Sequence, residues 1–292
     1  MKFRTILQSI LLALVLPSLF GQIIILAGDI PIDTTNESIC NQKFRLATSL
    51  KLHEKPINEI VAEIAKSFLG TKYAANTIEA PGQEQLIINL QMFDCVTFYE
   101  NSLVLARCIN KNKLTFDDFK KELQFVRYRK GIIKGYPSRL HYTSDYFFDN
   151  ENKGVLKDIT KQLGGLPLKK NINFISMHPD LYPRLKENPE NINAMRAIED
   201  SINARKIYYI PKENIKSIAS QIRNGYIIAI TTSIDGLDCT HTGIAIWQNK
   251  NLHMIHAPIP GAKIQITKLP LYKYLSKNKK VTGIMVAKPV DP

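Results

Sequence analysis

The stretch that most restricts how this chain can fold is Val96 to Ile109, which is apolar enough to be a buried helix. A helix of that kind needs other elements to cover it. It comes after Phe93-Asp94-Cys95-Val96-Thr97-Phe98, which puts an aspartate, a residue type that favours helix N-caps, just before a cysteine. Cys95 then falls on the first turn, beside free N–H groups and the positive end of the macrodipole. Both favour the thiolate, the nucleophilic form. A small core hydrophobe is the other common fate of a free cysteine.

The flanking segments predict what covers this helix. Ile57, Ile60, Val61, Ile64, Phe68 and Leu69 fall on one helical face, between Pro56 and a stop at Gly70. A polar linker, 33–38, precedes them, and Leu86 to Leu90 reads as a short strand. Thr115 and Asp118 open another helix carrying Phe116, Phe119, Leu123 and Val126. Periodicity then fails from Tyr128 to Asp149, around Gly135-Tyr136-Pro137-Ser138-Arg139-Leu140-His141-Tyr142. So long a loop in a compact domain is either a recognition loop or a surface loop closed by its own tyrosines.

An insertion is expected at about 111–210, with a strand at Asn173 to Ser176 and a helix at Ile192 to Ala204. Pro211 opens a helix carrying Ile215, Ile218 and Ile222. Strands are expected next at Tyr226 to Thr231, His241 to Trp247, Leu252 to Ala257, Lys263 to Ile266 and Thr282 to Ala287. Helices first and an antiparallel sheet after is an α+β order.

The N-terminus has the pattern of a signal peptide or N-terminal anchor over residues 1–27: two positive charges, an apolar run from Ile6 to Phe20, then Gly21 and Ala27. The domain proper is expected over 36–292, exported to the periplasm or secreted by a bacterium. Export changes how Cys40, Cys95, Cys108 and Cys239 are read, because an oxidising compartment permits disulfides. A Cys40–Cys108 bridge is left open. The net charge of +13 points to an anionic partner. The basic residues form no stripe interleaved with exposed aromatics, which argues against nucleic acid. An anionic envelope polymer or a loose association with a membrane surface fits better, and a generally solvated basic surface is the plainer alternative.

The sheet supplies partners for Cys95. Asp238-Cys239-Thr240-His241-Thr242-Gly243 enters one strand, and Leu252-His253-Met254-Ile255-His256-Ala257-Pro258 forms the next. The turn between them reads as a hairpin, which would bring His241 and His256 together at one end. His253 and His256 face opposite ways on an alternating strand, so only one can join His241. His256 is preferred. Cys95 is then the nucleophile, His241 the general base and His256 the group that orients it. The Cys95 N–H is an oxyanion donor, with the Tyr73 hydroxyl as a second. Two other classes stay open. Cys239, His241, His253 and His256 are all zinc-ligand types, although their spacing is not a standard zinc signature. The chain could also be a non-catalytic envelope-binding module. Cys239 shares strand parity with His241 and is expected near the site.

Taken in order, Gly70-Thr71-Lys72-Tyr73, Asp94-Cys95, His241-Thr242-Gly243-Ile244-Ala245 and Ile255-His256-Ala257 resemble the NlpC-type cell-wall cysteine peptidases. The loop from Gly135 to Tyr142 and Gly236-Leu237-Asp238-Cys239-Thr240-His241 are similar to a subgroup, the N-acetylmuramoyl-L-alanine amidase-like family. The resemblance spans about the whole mature chain. It implies a papain-like fold, a cysteine amidase with no metal or other cofactor, and muropeptides as substrate. It implies cleavage between the lactyl group of N-acetylmuramic acid and L-alanine, with a preference for 1,6-anhydro forms. The broader group cuts γ-D-glutamyl–diaminopimelate bonds instead, which is the alternative. Tyr73, Ser138, Arg139 and His141 are the candidate substrate-binding residues, and a monomer is expected. Two positions depart from the family pattern: Cys239, where an aliphatic residue is expected, and Tyr226, where an acidic one is usual.

Overall fold

The computed structural model describes residues 35–186 and 188–292. The 1–27 segment lies outside the described residues. Helices α1 (Asn36–Ser49), α2 (Ile57–Lys66), α3 (Cys95–Asn110) and α4 (Phe116–Arg127) come first, with two short strands, β1 (Lys72–Tyr73) and β2 (Met92–Phe93), between α2 and α3. Next come α5 (Thr143–Asn152), β3 (Leu156–Asp158), β4 (Leu166–Pro167), α6 (Phe174–Met177), α7 (Pro189–Asn203), β5 (Tyr208–Pro211) and α8 (Ile215–Ile218). The C-terminal part holds β6 (Ile227–Thr232), β7 (Cys239–Gln248), β8 (Asn251–His256), β9 (Gln265–Ile266), α9 (Leu271–Ser276) and β10 (Val281–Pro289). The main sheet runs β4-β5-β10-β6-β7-β8-β9, antiparallel throughout, with β3 also paired to β10. The α+β expectation is borne out.

Helix α3 is the centre of the fold. Even Glu100, Asn101 and Arg107 are buried within it, each answered by a partner: Glu100 by Arg127 and Arg107 by Glu122, at 2.6 Å in both pairs, and Asn101 by the Thr97 carbonyl. One face of the sheet (Ile244, Ile246, Ile255, Ala257, Met285) packs on α1 to α4. The other face (Ala245, Met254, Ile284, Val286) packs on Leu271 and Leu275 of α9 and on Ile215 and Ile222. Two close approaches need glycine. A Cβ on Gly225 would lie 1.6 Å from the Asn58 carbonyl oxygen, and one on Gly243 would lie 2.5 Å from Met254 Cγ. Gly243 therefore lets β7 and β8 sit close at the end that carries the histidines.

Four local expectations are corrected. From Asn36 on, the linker expected at 33–38 is already the start of α1, which Thr35 caps; positions 33 and 34 lie outside the described residues. Leu86 to Leu90 is not a strand, because side chains replace the partner strand: Asn36 bonds the Ile88 carbonyl and the Leu90 N–H, and Arg127 bonds the Ile87 carbonyl. Asn173 to Ser176 is the start of the short helix α6. The Pro211 expectation holds: Pro211 caps a 3-10 turn, Lys212–Asn214, that runs on into α8, with Ile222 following a second short turn. The aperiodic stretch contains α5, whose Tyr146 and Phe147 enter the main core. Within 111–210, α4 and α5 therefore belong to that core, while Ile175, Met195 and Ile202 gather with Tyr136 and Tyr142 in a cluster of their own.

Candidate active site

Asp94 is the N-cap of α3. Its carboxylate accepts from the Val96 and Thr97 N–H groups at 3.0 and 2.7 Å, while Thr97 Oγ1 accepts from the Asp94 N–H at 3.0 Å. This reciprocal cap fixes Cys95 at the first helical position. The parallel pairing of Tyr73 with Phe93 brings the Tyr73 phenol close by. Burial, then the Cys95 sulfur and the Asp94 carboxylate, hold that phenol above its ordinary range.

Strand β7 is fastened to the same helix end. Thr242 Oγ1 donates to the Cys95 carbonyl at 2.8 Å. The β7–β8 ladder ends at the pair Ile244–Ile255. Beyond it, the Thr242 hydroxyl and N–H are turned to the Cys95 sulfur and pull its pKa down. The thiol thus lies where the two strands part, with the helices on one side. On the other side His241 Nε2 and His256 Nδ1 stand 2.8 Å apart, and the His256 ring meets Tyr274 edge-on at 5.4 Å. Among the described residues His241 Nδ1 has no hydrogen-bond partner, and the sulfur bonds neither ring. Thr242 is the contact that sequence reasoning missed. A threonine in a strand reads as an ordinary β-former, and only its place beside His241 in the motif could have drawn attention to it.

The expected thiolate is corrected. Burial, then the Asp94 carboxylate, push the Cys95 thiol up to about 11, against the Thr242 and helix-end N–H contacts. A helix terminus contributes only ~0.3–1 kcal/mol at an exposed site, and desolvation exceeds that. Burial and then His256 lower His241 to about 3, and burial lowers His256 to about 4. The resting groups are therefore a thiol at the start of α3 and two neutral imidazoles on β7 and β8. Asp94→Asn keeps a capping side chain and removes the charge, so it should lower the Cys95 pKa. Iodoacetamide should then label Cys95 faster at pH 8 than in the native protein; an unchanged rate would contradict the role given to Asp94.

The same shifts set a pH dependence of stability. An unfolded histidine titrates near ~6.5, whereas His241 and His256 stay neutral in the fold, as does half-buried His141, which is lowered to about 3. Between those values the unfolded chain binds more protons, so stability rises with pH and is complete above ~6.5. The melting temperature should fall as pH drops from 6.5 towards 4, and His141→Gln should remove part of that fall.

The remaining candidates divide. Arg139 and His141 line a cleft of about 130 Å³ that also takes in Asp94 and Val96, on either side of Cys95. Arg139 is not a free cation there, since Glu79 and Glu84 lie 2.7 and 3.5 Å from its guanidinium. His141 Nε2 bonds the Tyr136 carbonyl at 3.0 Å. Ser138 closes its own loop, donating to the Gly135 carbonyl and accepting from the Lys134 N–H, and does not line this cleft. The loop is thus ordered largely by its own contacts. A second cleft, of about 420 Å³, takes in His241, Thr240, Tyr274, Ile259 and Lys277.

The zinc set does not converge. Register shifts between Ile230 and Thr231 in the β6–β7 ladder, so Cys239 leaves the parity of His241 and packs into the helix-side core, its sulfur 3.8 Å from Met285 Sδ. His253 Nδ1 meets the Thr267 carbonyl at 2.8 Å, turned away from His256. No three His, Cys, Asp or Glu side chains among the described residues are placed to hold an ion together. Cys40 and Cys108, on α1 and α3, are both buried free thiols.

A thiol at the start of a buried helix and an imidazole pair on the sheet laid against it are the residue types that nucleophilic amide hydrolysis uses. Comparison with known proteins narrows this: the profile of the N-acetylmuramoyl-L-alanine amidase-like family matches residues 63–284, and the chain belongs to that family. A crystal structure of an N-acetylmuramoyl-L-alanine amidase from Bacteroides uniformis is 36% identical, with a TM-score of 0.76, over 80% of this chain and 98% of that one. A Bacteroides fragilis protein provisionally named a xylanase is 38% identical, with a TM-score of 0.74, over 77% and 99%. A Legionella pneumophila protein at 23% identity shares the fold, with a TM-score of 0.68 over 89% of this chain and 96% of that one. A search of curated proteins gives no match.

Proposed function

We propose that the protein is an exported papain-like cysteine amidase that cuts the bond between the lactyl group of N-acetylmuramic acid and L-alanine in peptidoglycan fragments. One observation carries the reading. The Thr242–Cys95 bond ties the start of the His241 strand to the helix end bearing the sulfur. Family membership and the Bacteroides uniformis amidase supply the substrate class. The xylanase name of the Bacteroides fragilis protein does not carry over. Glycoside cleavage needs a facing pair of carboxyls, and Asp94, the carboxylate beside Cys95, is committed to the helix cap.

The chemistry starts from the neutral pair. As Cys95 Sγ attacks the lactyl carbonyl, its proton passes to His241 Nδ1. For Nδ1 to accept, the resting His241 proton sits on Nε2 and is donated to His256 Nδ1. His256 thereby fixes the tautomer and steadies the imidazolium. The Cys95 N–H and the Tyr73 hydroxyl stabilise the oxyanion. His241 then protonates the alanine nitrogen, the C–N bond breaks, and a thioester remains. Water, deprotonated by His241, releases the sugar acid and restores the thiol.

Digestion of purified 1,6-anhydro-muropeptides with mass analysis of the products tests this reading. The expected products are the free sugar acid and an intact stem peptide. A shortened stem still attached to the sugar would instead favour the γ-D-glutamyl–diaminopimelate alternative, and no product at all would favour a binding module.

A further inference from the structure

We infer that the cleft beside His241 is the leaving-group subsite, and that Lys277 in it pairs with a carboxylate of the stem peptide. This rests on the amidase reading above. Proton transfer sets the direction of the substrate. His241 has to hand a proton to the departing alanine nitrogen, so the peptide half must lie on the His241 side of the sulfur. The sugar half then falls on the side of Asp94 and Val96, where the smaller cleft is. The cleft at His241, about 420 Å³, is within the ordinary range for ligand sites. Its lining is mostly apolar, with Ile230, Pro258, Ile259 and the Tyr274 ring, which suits the alanine methyl and the peptide backbone.

Charge selects the residue after the alanine. Among the described residues Lys277 is the one ionised side chain lining the cleft, and no acidic residue joins it. It is exposed at the C-terminal end of α9 and makes no ion pair among the described residues. Arg139, in the other cleft, is already neutralised by Glu79 and Glu84. The free positive charge therefore lies with the peptide, whose residues carry carboxylates, and the neutralised one lies with the sugar. An ammonium at the rim acts as a point charge that a flexible substrate reaches without distortion.

The test compares two synthetic substrates, 1,6-anhydro-N-acetylmuramoyl-L-alanyl-D-glutamate and its α-amide. The native protein should cleave the acid with a KM about three- to fivefold lower than the amide, the scale of an exposed ion pair, with similar kcat. Lys277→Ala should erase that preference and Lys277→Glu should reverse it, with kcat retained in both. Native discrimination that survives unchanged in Lys277→Ala would overturn the assignment, as would equal native KM values. If the native protein cleaves neither compound, the amidase reading itself fails, and this one with it.

Discussion

Cys95→Ala should yield a folded protein without turnover on anhydro-muropeptides. The side chain is half-buried at the first position of α3, and the Asp94–Thr97 cap that starts the helix does not use it. Removing the sulfur therefore takes away a small contact and leaves the fold, with a melting temperature close to the native value. On the proposed mechanism activity should depend on it entirely, because among the described residues no other thiol stands at the start of α3 beside Thr242 to form the acyl intermediate. Cys40, Cys108 and Cys239 are buried elsewhere and cannot substitute. Turnover retained by the alanine variant, measured by product mass, would exclude the mechanism.

His241→Ala should lower the rate by ~10²–10⁴, the usual scale for loss of a general acid–base. The loss is expected to be severe because the thiol, held up at about 11, is poorly ionised near neutrality and depends on a base at the moment of attack. The position of His256 grades the effect. It touches His241 Nε2 and not the sulfur, so the role proposed for it is to position the base. An asparagine side-chain oxygen can still accept from that nitrogen, so His256→Asn should lose less than His256→Ala. Equal losses, read as kcat over a pH series, would count against an orienting role.

Much of this architecture is legible in the chain. The α3 run, the capped cysteine and five of the C-terminal strands come from apolar patterning, which is strongest where burial is two-sided. The pairing of His241 with His256 comes from hairpin geometry, since two strands joined by a short turn align their distant ends. Other features depend on tertiary contacts that no local pattern records. Helix α1 is mostly polar and is held by contacts such as Asn36 with the 88–90 backbone. Helix α5 buries aromatics without an apolar period. The register shift that removes Cys239 from the site arises between strands. The thiol's protonation state reverses because the sequence displays the helix end, whereas desolvation enters only once the chain has closed around it. Arg139 looks like a free cation in the sequence because the glutamates that neutralise it lie 55 to 60 positions upstream.

The most direct measurement couples covalent labelling to activity. Native protein is treated with iodoacetamide at pH 9, the labelled fraction of Cys95 is read by peptide mass, and residual amidase activity is assayed on the same samples. Activity should fall in direct proportion to Cys95 labelling, reaching zero at full modification, while the melting transition persists. Full modification of Cys95 with hydrolysis undiminished would contradict the account at its root.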